Sequence, residues 1–237
     1  MIRNLFFDLD DTLLDFRKSE KTALEETLRH ASVPVTDALS RCYSEINAEY
    51  WKRLERHEVT RDALKVRRFC DLFAELGIRN VDPAAVAAEY ERRLGNQSFL
   101  ITGARETLSR LRRSYRLFAA SNGTGTVQRS RLAGAGLSDL FEFLFLSGEL
   151  GAEKPSAAFF DACFSRIPEL KRSETVIIGD SLTSDIAGGR RAGLLTVWFN
   201  PSHTENRTAV TPDAEIHALA DTETILTELA GRQAHEI

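Results

Sequence analysis

Ile2-Arg3-Asn4-Leu5-Phe6-Phe7-Asp8-Leu9-Asp10-Asp11-Thr12 opens the chain: a short apolar run that breaks abruptly into an acidic turn. Ile2–Phe7 is too short for a stable helix and apolar on both alternating faces, which reads as a strand buried on both sides. Four more runs of the same kind follow, at Tyr115–Ala120, Phe143–Leu146, Thr175–Ile178 and Leu195–Phe199. Helical patterns separate them, at Ala104–Arg113, Val127–Gly134, Ser156–Arg166, Thr183–Ala192 and Thr222–Leu229. Strand and helix in alternation predict an α/β fold, a Rossmann-like parallel sheet with helices on both faces.

The stretch from about Asp15 to Leu100 differs in kind. It holds only Gly77 and Gly95 of the 14 glycines and no run that reads as a buried strand. Arg17–Ala31, Asp37–Arg56, Arg61–Leu76 and Ala84–Leu94 instead follow the helical period. Asp82-Pro83 places an N-cap residue directly before a proline at the first helical position. The expected organisation is therefore an α/β core from residues 1–14 and 101–237, interrupted by a helical insert at 15–100. Tyr43, Tyr50 and Trp51 lie at near-helical spacing and read as core of that insert rather than a base-stacking platform. The pairs Arg67-Arg68, Arg92-Arg93, Arg112-Arg113 and Arg190-Arg191 read as solvated faces.

Composition narrows the class. The 237 residues carry 31 Lys and Arg against 35 Asp and Glu, and the formal charge of −4 excludes a globally basic nucleic-acid binder. No apolar run approaches the roughly 20 residues of a spanning helix, and Asp8 interrupts the opening run before a signal-peptide core could form. Cys42, Cys70 and Cys163 are odd in number and widely separated, which disfavours structural zinc or a disulfide framework. A soluble cytoplasmic protein that binds neither membrane nor nucleic-acid polymer is expected.

The chemistry sits at the strand ends. The first strand runs into Asp8 and Asp10, the second into Ser121-Asn122-Gly123, and the fourth into Gly179-Asp180 with Asp185 shortly after; Lys154-Pro155 follows the third. Ligands in open parallel sheets bind where these loops converge. Four carboxylates, a hydroxyl and a lysine around one crevice call for a hard cation, and all-oxygen donors favour Mg2+. An anion beside that cation would meet Lys154, the Ser121 hydroxyl and loop amides such as those around Asn122. A phosphoryl group satisfies both demands. One carboxylate can then attack phosphorus while a second, two residues on, protonates the leaving oxygen and later activates water.

Asp8-x-Asp10-x-Thr12, Ser121, Lys154-Pro155 and Gly179-Asp180-x4-Asp185, in that order, resemble the four motifs of the haloacid-dehalogenase (HAD) superfamily, and the insert resembles its first-type helical cap. The resemblance implies Asp8 as nucleophile, Asp10 as general acid/base, and Mg2+ on the Asp8 carboxylate, the Asp10 backbone carbonyl and Asp180. It further implies Ser121, Asn122 and Lys154 around the phosphoryl oxygens, Asp185 orienting Lys154 or a metal-bound water, and Thr12 positioning Asp10. The longer strings Phe7–Phe16, Gly179–Ile186 and Trp198-Phe199-Asn200-Pro201 are similar to the noncanonical pyrimidine 5′-nucleotidase subfamily, implying a pyrimidine nucleotide as the small phosphorylated substrate. Three readings stay open: this phosphatase, or one acting on another small metabolite such as a sugar phosphate; a phosphomutase of the same superfamily, against which Asp11 stands where that branch carries Gly; and a non-catalytic phosphate-binding protein.

Overall fold

The structure is a computed structural model and describes residues 1–235. Two compact units make up the chain, one from Met1–Phe16 together with the segment from Ser98 onward, the other from Arg17–Gln97.

Six parallel strands build the sheet of the first unit: β1 (Asn4–Phe7), β2 (Arg116–Ser121), β3 (Phe143–Leu146), β4 (Thr175–Gly179), β5 (Leu195–Phe199) and β6 (Ala214–Ile216), in the spatial order β3-β2-β1-β4-β5-β6. β6 is the strand that the sequence pattern does not announce. Its three residues follow a polar loop, too short for any alternation to show. The remaining elements are α1 (Phe16–His30), α2 (Asp37–Glu55), α3 (Arg61–Glu75) and α4 (Pro83–Gly95) in the insert, then α5 (Ala104–Leu111), α6 (Gly125–Gly134), the one-turn α7 (Ser147–Leu150), α8 (Ala157–Arg166), α9 (Ala187–Arg191) and α10 (Thr222–His235).

The sheet works because its strands are apolar on both faces. Leu5 and Phe7 join Leu117, Ala119, Val176 and Ile178 in a core shared with α5 and α10. Phe6, on the opposite face, packs with Phe118, Ala120, Phe145 and Ile177 against Phe159, Phe160 and Cys163 of α8. Burying a side chain of that size contributes about 1.5–3 kcal/mol each. The one polar intruder in β1, Asn4, is satisfied by donating to Thr175 Oγ1 at 3.3 Å.

Register places the site. Phe7 pairs with Ala119 on one side and with Ile178 on the other, so β1, β2 and β4 end at one level. The order of strands reverses between β1 and β4, and crevices open at such switch points beyond the strand carboxyl ends. The two chain crossings are tied together inside this unit: Leu14 bridges Leu100, and Ile101 N donates to Leu13 O at 3.0 Å.

In the second unit, Thr36, Thr60 and Asp82 cap α2, α3 and α4 by accepting from Leu39, Ala63 and Ala84 backbone N–H groups. Tyr43 and Tyr50 are buried, as expected of core residues, and Tyr43, Phe69 and Tyr90 pack ring against ring at 5.2–5.6 Å. Arg68 corrects the reading of the arginine pairs as solvated faces. It is 2% exposed, stacks 4.7 Å above Tyr90, and its guanidinium is matched by Glu91 at 3.0 Å and Asn47 at 2.9 Å. A buried guanidinium is tolerated because its charge and its donors are both answered. No helix among the described residues is long and apolar enough to cross a membrane, and the three cysteines are free thiols.

Candidate active site

Asp8 follows the last residue of β1 and is fixed by the sheet itself, its N–H donating to Ile178 O of β4 at 2.9 Å. The next residues form a tight turn in which Leu13 N and Leu14 N both donate to Leu9 O, and Asp11 N donates to Leu14 O. Asp11 takes φ +56°, the left-handed region that glycine occupies most cheaply. An aspartate tolerates that conformation, and its carboxylate offsets the strain by accepting from Phe16 N at 2.9 Å.

Lys154 sits at the centre, 1% exposed. Its ammonium donates to Asp8 Oδ1 at 2.6 Å, to Asp185 Oδ1 at 2.6 Å and to Ala120 O at 2.5 Å, which engages all three of its hydrogens. The backbone of Lys154 is held by one side chain: Asn122 Oδ1 accepts from Lys154 N at 2.9 Å, and Asn122 Nδ2 donates to Lys154 O at 2.8 Å. The Asn122 amide, expected beside the phosphoryl group, is thus a clamp between two loops.

After β4 the chain makes a π-helical turn, Leu182–Ile186, at the start of what the sequence pattern shows as one helix. Ser181 begins it, its Oγ accepting from Ser184 N and its N–H donating to Asp185 Oδ2 at 3.1 Å. That wraps Asp185 back onto the end of β4, where Gly179 leaves room; a Cβ there would lie 2.3 Å from Asp185 Oδ2. Asp180 is fixed by Thr12, whose hydroxyl accepts from Asp180 N at 3.1 Å and lies 3.4 Å from Asp180 Oδ1. Trp198 Nε1 donates to Asp180 O at 2.8 Å. The Thr12 hydroxyl therefore braces Asp180, where the resemblance implies Asp10.

Carboxylate oxygens of Asp8, Asp180 and Asp185 all lie within 4.8 Å of one another. The Asp10 carboxylate lies outside this group and is held by two residues of α6 that no motif announces: Gln128 Nε2 donates to Asp10 Oδ2 at 2.7 Å, and Arg131 pairs with Asp10 Oδ1. Gln128 and Arg131 are 1% and 0% exposed, although both are polar members of the helical pattern at Val127–Gly134. The available signal was their spacing, since they share the buried stripe of α6 with Val127 and Leu132.

The electrostatics are those of a site short of positive charge. Burial above all, then Asp185 and Asp10, outweigh the attraction of Lys154 and push Asp8 up from 3.8 to about 7. Burial likewise, reinforced by Asp8 and Asp185, holds Asp180 well above the carboxylate range. Burial opposes the Lys154 charge, but Asp185 and Asp8 outweigh it and hold the ammonium above the usual lysine range. Three carboxylates facing one ammonium carry an excess of two negative charges when ionised. Clustered oxygen donors with that imbalance fit a divalent hard cation, and magnesium is the cation that such donors select beside a phosphate.

A parallel α/β core, a helical insert after the first strand and an acidic cluster at the strand ends define the class. The model of the haloacid dehalogenase-like hydrolases matches residues 2–193. The chain is 38% identical over 218 residues to the pyrimidine 5′-nucleotidase PynA of Streptococcus pneumoniae, covering 92% of each protein. It is 29% identical over 222 residues to the pyrimidine 5′-nucleotidase YjjG of Escherichia coli, covering 94% of this chain and 96% of that one. A crystal structure of the HAD-hydrolase YfnB from Bacillus subtilis, bound to magnesium, superposes with a TM-score of 0.90 at 37% identity, covering 95% of this chain and 98% of that one. This chain belongs to the haloacid dehalogenase-like hydrolases, with an inserted helical cap region.

Proposed function

We propose that this hydrolase is a magnesium-dependent phosphatase that works through an aspartyl-phosphate on Asp8 and acts on pyrimidine nucleoside 5′-monophosphates. The observation that carries the reaction class is the group of buried Asp8 and Asp185 and half-buried Asp180 beside Lys154, two charges short of neutrality when ionised, at the switch point of the sheet. Asp8 and Asp180, with the Asp10 backbone carbonyl, would hold the metal, which when bound supplies the charge that lets an anionic carboxylate approach an anionic phosphoryl group. The Ser121 hydroxyl and the backbone around Asn122 receive the phosphoryl oxygens, and the Lys154 ammonium, its three hydrogens already engaged, draws them in by its charge.

Lys154 engages Asp8 Oδ1, so one lone pair of the other oxygen attacks phosphorus as the ester P–O bond breaks. Asp10 delivers a proton to the departing oxygen, then takes one from the water that attacks the phosphoryl group, and the bond to Asp8 breaks to release inorganic phosphate. Asp185 holds Lys154 in place, and Thr12 holds Asp180.

Substrate class rests on the similarity to PynA and YjjG. The core residues grip only a phosphoryl group and a cation, so selectivity among monoesters belongs to the insert at 15–100. The test is a panel of phosphomonoesters with magnesium. UMP, dUMP and dTMP should show higher kcat/KM than purine nucleotides or sugar phosphates, and replacing the insert with a short linker should erase that ranking while sparing some p-nitrophenyl phosphate hydrolysis. A sugar phosphate outranking every pyrimidine nucleotide would overturn the substrate assignment and leave the reaction class standing.

A further inference from the structure

Gln128 touches both halves of the proposed chemistry. Its Nε2 donates one hydrogen to Ser121 Oγ at 2.9 Å and the other to Asp10 Oδ2 at 2.7 Å. Which end of the amide faces the site is set by Arg131, whose Nη1 donates to Gln128 Oε1 at 3.0 Å and so turns the NH2 toward Ser121 and Asp10. Arg131 reaches Asp10 Oδ1 as well, so the two side chains hold both oxygens of that carboxylate. Gly123 completes the arrangement: a Cβ there would lie 2.4 Å from Gln128 Nε2.

The consequence for Ser121 follows from counting. A hydroxyl has two acceptor sites and one hydrogen. Ser121 Oγ already accepts from Gly123 N at 3.0 Å and from Gln128 Nε2, so both acceptor sites are filled and its hydrogen is left to donate. A phosphoryl oxygen is an acceptor only. An unconstrained serine can turn its hydrogen elsewhere, whereas this one is set as a donor before substrate arrives, and preorganised donors are the ones that lower a barrier.

We propose that Gln128, oriented by Arg131, is a positioning residue for this reaction: it fixes Ser121 as a donor to the phosphoryl group and fixes the Asp10 carboxylate for proton transfer. The proposal rests on the roles given above to Ser121 and Asp10. It deepens them by adding two residues of α6 that act through Ser121 and Asp10 rather than on the substrate. It also accounts for polar side chains on the buried stripe of a surface helix, which packing alone would fill with leucine or alanine.

Leaving groups separate the outcomes. The kcat/KM of the phosphoryl-transfer step depends on proton donation for an alkyl ester such as UMP, while p-nitrophenolate departs without a proton. The ratio of the two values is independent of how much of a variant is correctly folded. Asp10→Asn is the reference and should lower the UMP to p-nitrophenyl phosphate ratio by about 10²-fold or more, the ordinary size of general-acid assistance. Gln128→Ala should lower the same ratio by at least about tenfold, a fraction of that assistance. Gln128→Glu, which presents an acceptor to Ser121 in place of a donor, should in addition weaken inorganic phosphate binding in calorimetry. An unchanged ratio in Asp10→Asn overturns the acid role itself. A shifted ratio in Asp10→Asn, with wild-type ratio and phosphate affinity in both Gln128 variants, overturns the positioning role, as does an equal loss on the two substrates without any change in phosphate affinity.

Discussion

The Lys154 ammonium lies 2.6 Å from Oδ1 of Asp8, a contact between residues 146 positions apart in the chain. It joins the loop after β3 to the end of β1, and through Asp185 it reaches the turn after β4. One buried cation therefore fixes three strand ends and offsets one of the three carboxylate charges in the group proposed to receive the metal and the phosphoryl group.

Removing that cation isolates the carboxylates. Lys154→Met keeps the volume and deletes the charge, and breaking a buried pair in this way costs about 3–5 kcal/mol. Chemical denaturation in EDTA should show a loss of that order. Added magnesium should restore part of it, because a second cation serves the same carboxylates. Wild-type stability in EDTA would show that Lys154 contributes nothing to the cluster.

Stability of the metal-free protein should fall with rising pH. Asp8 is pushed up from 3.8 to about 7 in the folded state, chiefly by burial, so between those values the folded chain binds a proton that the unfolded chain has released. Stability is then highest below 3.8 for this group, declines through the interval and levels off above about 7. Melting temperatures in EDTA across that range check it, with a shallower slope expected in Asp8→Asn. Magnesium competes with the proton, so its stabilising effect should grow as pH rises. A slope of opposite sign that Asp8→Asn leaves unaltered would contradict the assignment.

Asp180 and Asp10 should separate by metal affinity. Asp180→Asn removes a carboxylate from the clustered group, whereas Asp10→Asn leaves a backbone carbonyl in place. Calorimetric titration with magnesium should show weakened binding in Asp180→Asn and near wild-type binding in Asp10→Asn, together with a collapse of turnover in the latter. Equal magnesium affinity in wild type and Asp180→Asn would refute this division.

Asn122→Ala should act on Lys154 without touching charge. Two hydrogen bonds to the Lys154 backbone are lost, each worth about 0.5–1.5 kcal/mol, so a stability loss of about 1–3 kcal/mol is expected, accompanied by a raised KM. Differential scanning calorimetry and steady-state kinetics measure both. Loss of phosphate affinity at unchanged stability would instead place the Asn122 amide on the substrate.

Much of this was legible in the residues. Five of the six strands stand out because strands buried on both faces must be apolar throughout, and the polar residues that follow them are then conspicuous. β6 was not legible, since three residues on the sheet edge carry no period. Gln128, Arg131 and Arg68 were hidden for the opposite reason. Polar side chains on helices are ordinarily solvated; the spacing of Gln128 and Arg131 with Val127 and Leu132 is a weak signal, and tertiary partners such as Asp10 and Glu91 are what make burial of these three tolerable. The brace from Thr12 to Asp180 spans 168 positions, and nothing local to either residue encodes it.

Covalent chemistry on Asp8 is tested most directly by trapping. Asp10→Asn should accept a phosphoryl group yet hydrolyse it slowly, so acid quenching during turnover of p-nitrophenyl phosphate with magnesium, followed by mass spectrometry of the peptide containing Asp8, captures the intermediate. The expected result is one added phosphoryl group on Asp8, absent from the Asp8→Asn, Asp10→Asn double variant. An unmodified Asp8 under continuing turnover, or a phosphoryl group on another residue, would contradict the mechanism.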